Sequence, residues 1–381
     1  MKADAPEADP DCDDVKVLTR ARIALACVCE PGEPGLADVI ASRGPSAVVA
    51  ALLAGRSLPI PRAAAIGARL AELDLADQLA RAEELGCRIV LPGDLEWPGR
   101  LDDLGPQRPL ALWCWGEANV RLHAVTSISI VGARACTRYG EMVAREWSAC
   151  LAGENVTIVS GGAYGIDAAA HRGALSVDGS TICVLAGGVD QPYPRGHEGL
   201  FSQIMERGVL VSEAPLGETV RRQRFLTRNR LIAALTSATC VVEAAHRSGS
   251  ARTASFAADL HRPVLAVPGP VTSETSVGTH RLITEQIATL AADVQDLRDA
   301  VGPVTVVPIR SEAPRMPRRM RQVLDALPGS GHRGMTKDAV AVRSGIDPDE
   351  TSALLERARA HGHAELTPDG LWVFAGVPQR G

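Results

Sequence analysis

Several short clusters in this chain carry residues suited to holding an anion, and each falls where a strand gives way to a helix. Ser160-Gly161-Gly162 follows the apolar run Val156–Val159 and precedes an alanine-rich segment bearing Asp167 and His171. A strand that turns directly into a helix leaves backbone N–H groups unpaired at the positive end of the helix dipole, a setting that suits phosphate. Asp167 and His171 stand four apart and share one helix face. An aspartate beside such a turn more often braces the loop than catalyses. Arg221–Arg230, RRQRFLTRNR, holds five arginines beside Phe225. Guanidiniums grip phosphate oxygens, and an aromatic ring offers a base a stacking face. Arg228, Asn229 and Arg230 are expected at the start of the helix that continues as Leu231–Leu235, with Arg224 just before it. Ser248-Gly249-Ser250 with Thr253 opens a further helix, where serine caps and Gly249 admits close backbone approach. Gly132 with Arg134, and Gly187-Gly188, end two more strands, while Glu213 and Glu243 end another two and are read as loop-bracing.

A single glycine turn is usually a packing device. Repetition along one edge points instead to a pocket, and the elements that must build that edge are legible. Ser127–Val131, Val156–Val159, Thr181–Leu185, Val209–Val211, Thr239–Val242 and Pro263–Val267 are apolar, β-branched runs separated by helical stretches. That alternation predicts an α/β fold: an extended Rossmann-like, doubly wound and mainly parallel sheet covered on both faces. Ligands of such sheets bind beyond the carboxyl ends of the strands, where these polar clusters collect. No GxGxxG follows any strand, so a dinucleotide is not indicated.

Composition sets the outer limits. The chain has 381 residues, 46% hydrophobic and 22% charged, with a formal net charge of -5. Such a balance excludes a uniformly basic coat but not a local patch. Nine cysteines show no CxxC pair and no paired Cys/His spacing. They read as reduced thiols, with no metal site and no cofactor expected. The acidic N-terminus and the absence of a long apolar run predict a cytoplasmic protein with no membrane association.

Five parts are expected along the chain. Residues 1–14 form a disordered acidic tail and 15–88 a helical module of helix-hairpin type. Residues 89–300 form the Rossmann-like domain, 301–314 a linker, and 315–376 a winged-helix domain. The last rests on three short amphipathic patterns followed by strands flanking Pro368-Asp369-Gly370. Its Lys337 and Arg343 are offset by Asp338, Asp347 and Asp349, which reads against strong phosphate contact and leaves a protein-binding role open.

The combined pattern resembles the DprA/Smf family of DNA-processing proteins. It is carried by Ile130–Arg134 with Thr137–Gly140, Ser160–Asp167 with His171, and Ala186–Asp190 with Tyr193-Pro194. It continues through Ser212-Glu213, Phe225 with Arg228–Arg230, Val242–Ala244, Ser248–Ser250 with Thr253, and Val267–Gly269. Leu226 stands where the family usually has proline, Thr227 where a basic residue is common, and His280 where asparagine is usual. The resemblance implies single-stranded DNA binding, protection of incoming DNA, and delivery of the recombinase RecA in transformation and recombination. It also implies a homodimer formed through the Rossmann-like domain.

One reading of a different class competes: a nucleotide-processing enzyme similar to phosphoribohydrolases, which share this architecture. It would require Glu213 or Glu243 to act as the catalytic acid. No nucleophile–base pair is apparent, so no catalytic residue is assigned and a non-enzymatic binder is expected.

Overall fold

The computed structural model describes residues 10–246, 248–303, 318–328, 334–360 and 363–374. It opens with five helices, α1 (Pro10–Val28), α2 (Leu36–Arg43), α3 (Pro45–Leu53), α4 (Ala63–Glu72) and α5 (Leu75–Leu85). Helix α1 starts at Pro10, inside the stretch expected to be a tail; proline at a first helical position costs no hydrogen bond. Residues 1–9 lie outside the described residues. The pattern over Ala63–Leu85 resolves into two helices because Asp74 accepts from the Asp77 amide at 2.9 Å and caps a new start. Leu25, Val48, Leu52 and Ile66 form the core of this helical part.

The sheet follows. Its strands are β1 (Arg88–Val90), β2 (Leu112–Trp115), β3 (Ser127–Val131), β4 (Thr157–Ser160), β5 (Thr181–Leu185), β6 (Val209–Ser212), β7 (Ala238–Val241), β8 (Val264–Ala266) and β9 (Thr289–Leu290). The intervening helices are α6 (Val120–Val125), α7 (Arg138–Gly153), α8 (Ile166–Ser176), α9 (Glu198–Arg207), α10 (Arg222–Leu235), α11 (Gly249–Asp259), α12 (Val277–Thr284) and α13 (Val294–Val301). Spatial order is β1-β2-β6-β5-β4-β3-β7-β8-β9, with β3 to β9 parallel and β1 and β2 antiparallel at one edge. The short exposed β9 was not expected from the sequence, because two residues carry no periodicity.

Every residue of β3, β4, β5, β6 and β7 is buried, as expected of strands covered on both faces. Val131, Val159, Ile182 and Val184 pack against α10, α11 and α12 on one side. Ile128, Ile130 and Ile158 pack against α7 and α8 on the other. Ile23, Ala26 and Ala82 of the helical part join Trp113, Cys183 and Phe201 in one cluster, so these helices and the sheet form one compact unit.

From β3 the chain winds outward through β4 and β5 to β6, then returns to lay β7 on the other side of β3. The reversal between β3 and β7 is a topological switch point, where flanking loops diverge and a crevice opens.

A second compact unit lies C-terminal. Helices α14 (Arg318–Asp325), α15 (Lys337–Ser344) and α16 (Pro348–Ala360) are followed by the antiparallel pair β10 (Ala364–Leu366) and β11 (Trp372–Phe374). Val323, Val340, Leu355 and Trp372 form its core. The expected linker at 301–314 falls largely on residues 304–317, which lie outside the described residues. No single described helix is long and apolar enough to cross a membrane.

Candidate functional site

The crevice at the β3/β7 switch point is an open cleft of 970 Å³. One wall is the loop Gly132–Ala135 after β3. The other is the first three turns of α10, from Arg222 to Ile232, and Ser248–Thr253 at the start of α11 closes one end. Ser248 caps α11 by accepting from the Ser250 amide at 3.2 Å, and its hydroxyl lies 2.6 Å from that of Ser250. The amides of this first turn have no partner within the helix. Asn229 ties the two helices together, donating from Nδ2 to the Gly249 carbonyl at 3.0 Å.

Among the described residues, four guanidiniums line the cleft (Arg134, Arg222, Arg228 and Arg252) against two carboxylates, Asp167 and Glu274. The local balance is thus opposite in sign to that of the whole chain, and it favours an anion. Arg134, Arg222 and Arg252 are exposed. Arg134 lies over the Phe225 ring, 4.9 Å from its centroid, so a cation and an aromatic face are presented together.

Arg228 is different. It is buried in the floor, where Nη1 donates to the Val184 carbonyl and Nε has no partner among the described residues. Burial weakens its hold on the proton while Asp167 strengthens it. Burial pushes the Asp167 carboxyl up, and Arg228 works against that push. Asp167 also receives the Ala163 amide at 3.4 Å, which holds the turn before α8.

The helix start expected to cradle phosphate is already engaged. At α8 the Ile166 amide donates to the Ala133 carbonyl at 3.2 Å. Ser160 is buried and gives its hydroxyl to the Ile130 carbonyl at 2.7 Å. A Cβ on Gly161 would overlap the Arg228 guanidinium, so this glycine makes room for a side chain of the protein. Gly162, Gly187 and Gly188 are buried and lie outside the cleft lining. Sequence reasoning grouped them with the site because all end strands at one edge. The structure separates them because only the β3/β7 gap opens.

Arg224 and Arg230 also lie outside the cleft lining. Helix α10 starts at Arg222, not near Arg228, so Arg230 sits in its third turn and faces inward. Arg230 is 1% exposed. Its Nη2 donates to Glu213 Oε1 at 2.8 Å, Nη1 stands 2.7 Å from Oε2, and Nε donates to the Gln107 carbonyl at 3.0 Å. Arg224 is clamped between Glu30 at 3.0 Å and Glu218 at 2.7 Å. Both pack the fold. Gly132, Arg134, Phe225, Arg228, Asn229, Ser248, Gly249, Ser250 and Thr253 are the expected residues that meet in the cleft. Arg222 and Arg252 were not singled out for the site; each sits in the first turn of a helix that meets the cleft, and that was the signal available.

The remaining residues expected to brace loops are placed as follows. Glu243 is buried and receives the Thr137 amide at 2.8 Å and its hydroxyl, fixing the start of α7. Glu213 holds Arg230. His171 is fully buried and Nδ1 lies 2.7 Å from Thr181 Oγ1, whose proton goes to the Ile158 carbonyl at 2.6 Å. The ring therefore donates from Nδ1–H and is neutral; burial, with the charges of His197, Arg228 and Arg172, drives its pKa down to about 3. Among the described residues no group of His, Cys, Asp and Glu is arranged to hold a metal ion.

A family model for DNA recombination-mediator protein A matches residues 88–302. The chain is 41% identical over 375 residues to a Mycobacterium tuberculosis protein named for DNA processing, DprA, covering 93% of each. It is 43% identical to Smf of Escherichia coli over 192 residues, half of each chain. The solved structure of DNA processing protein A from Streptococcus pneumoniae superposes with a TM-score of 0.60 at 27% identity, covering 74% of this chain and 95% of that one. Matched along almost its whole length and across the sheet that forms the cleft, the chain belongs to the DprA/Smf family of DNA-processing proteins.

Proposed function

We propose that this protein binds single-stranded DNA in the β3/β7 cleft, protects the strand and delivers the RecA recombinase onto it. The observation that carries the reading is the pairing of exposed Arg134 with the Phe225 ring at the mouth of an arginine-lined cleft. Phosphates of a strand meet Arg134, Arg222, Arg252 and the first-turn amides of α11, while an unstacked base reaches the ring. A duplex keeps its bases stacked and satisfies only the charge, so single strands are favoured. Delivery of RecA, a role in transformation and a dimer formed through the Rossmann-like domain are supported by family membership.

The enzymatic alternative needs a carboxylate poised beside a ribose. Glu213 is committed to Arg230 and Glu243 to Thr137, which supports the binding reading.

The test is titration of short single- and double-stranded oligonucleotides at several salt concentrations. Arg134, Arg222 and Arg252, the exposed arginines among the described cleft residues, predict a log–log salt slope of about -2 for single strands, at roughly 0.7 per phosphate contact. Equal affinity for duplex, or a slope near zero, overturns the reading. Steady release of adenine from AMP, abolished by Glu243→Gln, establishes the enzyme instead. Light scattering reads the dimer, and RecA filament growth on coated strands reads delivery.

A further inference from the structure

The chain holds three tyrosines, Tyr139, Tyr164 and Tyr193, and none is buried. They are 41%, 51% and 47% exposed. The five tryptophans are buried or half-buried. Each tyrosine follows a different central strand, β3, β4 or β5, on the side of the sheet where the strands end. With aromatic residues only 3% of the chain, this partition sets the tyrosines apart from packing residues.

Two of the three continue the cleft. Tyr193 meets the Phe225 ring edge-on, with centroids 6.0 Å apart, and Phe225 in turn carries Arg134. Tyr164 stands next to Ala163, which lines the cleft. It meets His197 edge-on at 4.5 Å, and a Cβ on Gly196 would come within 2.6 Å of its hydroxyl. Tyr193 belongs to the loop Tyr193–His197 after β5 and Tyr164 packs against it, the loop being anchored by His197 Nδ1 lying 3.1 Å from the Gly162 carbonyl. Among the described residues neither hydroxyl has a hydrogen-bond partner, whereas that of Tyr139 reaches the Pro268 carbonyl. Half-exposed rings held by edge contacts leave faces available to planar ligands.

We infer that Tyr193 and Tyr164 form a base-stacking row that extends the binding tract from Phe225 across the ends of β5 and β4. This inference rests on the single-stranded DNA reading and specifies its path. The strand leaves the arginine-lined cleft past Phe225, and successive bases stack on Tyr193 and then Tyr164. Stacking on a ring is indifferent to base identity, so the row adds affinity and discrimination against duplex, not sequence preference.

The experiment compares wild type, Tyr193→Ala, Tyr164→Ala and the matching phenylalanine variants on oligothymidylates of increasing length. A second series uses abasic strands of the same lengths. Each alanine variant is expected to lose about 5-fold to 150-fold in affinity for long base-bearing strands, the range set by one stacked base. Binding to short strands that fill only the cleft is unchanged. The phenylalanine variants bind as wild type, and abasic strands bind all variants equally. Unchanged affinity of both alanine variants for long oligothymidylates overturns the row while leaving the cleft in place. So does an equal loss on abasic strands, which marks a structural role. Wild-type protein that binds no single strand of any length overturns the cleft reading and the row together.

Discussion

Replacing Arg230 with alanine separates the two roles that arginines play in α10. Arg230 is 1% exposed, donates to Glu213 and to the Gln107 carbonyl, and is absent from the cleft lining. Removing one partner of a buried ion pair strands the other charge, at a cost of about 3–5 kcal/mol. The orphaned Gln107 carbonyl adds on the order of 1 kcal/mol. A loss near 5 kcal/mol is a large share of the roughly 5–15 kcal/mol that holds a domain folded. With a denaturant slope of about 3 kcal/mol/M, the urea midpoint of Arg230→Ala falls by about 1 M or more. Arg134→Ala, at an exposed site on the Phe225 ring, leaves the midpoint in place and lowers single-strand affinity. Urea titration followed by intrinsic fluorescence, paired with oligonucleotide titration at native conditions, reads both quantities on each variant. An unchanged midpoint in Arg230→Ala together with reduced DNA affinity would refute the division and return Arg230 to the phosphate-binding set.

Gly161→Val forces a side chain into the Arg228 guanidinium, so a lower melting temperature is expected along with weaker DNA binding; normal stability would show that Arg228 has another place to go. Glu30 receives Arg221 at 3.3 Å and Arg224 at 3.0 Å. Burial pushes its carboxyl up, but the Arg224 hydrogen bond and the charges of Arg224, Arg221 and Arg69 outweigh that and hold it below its ordinary 4.5. Its contribution to stability is therefore present above pH 4.5 and lost as the pH falls below it, so Glu30→Gln should show a shallower acid loss in thermal melts than wild type. His171 runs over a different window. Kept neutral down to about pH 3 in the fold and protonating near 6.5 when unfolded, it makes stability fall as the pH drops below 6.5, by up to about 1.4 kcal/mol per pH unit. His171→Gln should flatten that slope in urea titrations at pH 7 and pH 5.

The strands were legible because burial on both faces writes itself as unbroken apolar runs: Ser127–Val131 and Thr181–Leu185 are found within the limits the sequence gives. Which strand ends open was not legible. Gly161, Gly187 and Gly132 look alike in sequence, yet only Gly132 borders the gap made when the chain doubles back to β7. The arginine run misled for a related reason. Five guanidiniums in ten residues read as one basic face, but a helix begun at Arg222 points successive side chains in different directions. Arg222 and Arg228 meet the cleft, while Arg224 and Arg230 find carboxylates from Glu30 and Glu213, distant in sequence. Such partners are set by tertiary structure and leave no local signal.

The doubling back also has a consequence in time. The cleft's walls are residues 132–135 and 222–253, and Ser129 pairs with Thr239 across the intervening three strands. At about 5–20 residues per second of synthesis, the second wall emerges on the order of ten seconds after the first. Until β7 inserts beside β3, the nascent chain has half a cleft, so the cleft is completed late and in one step. A chain cut anywhere between the walls presents Arg134 without its opposite wall.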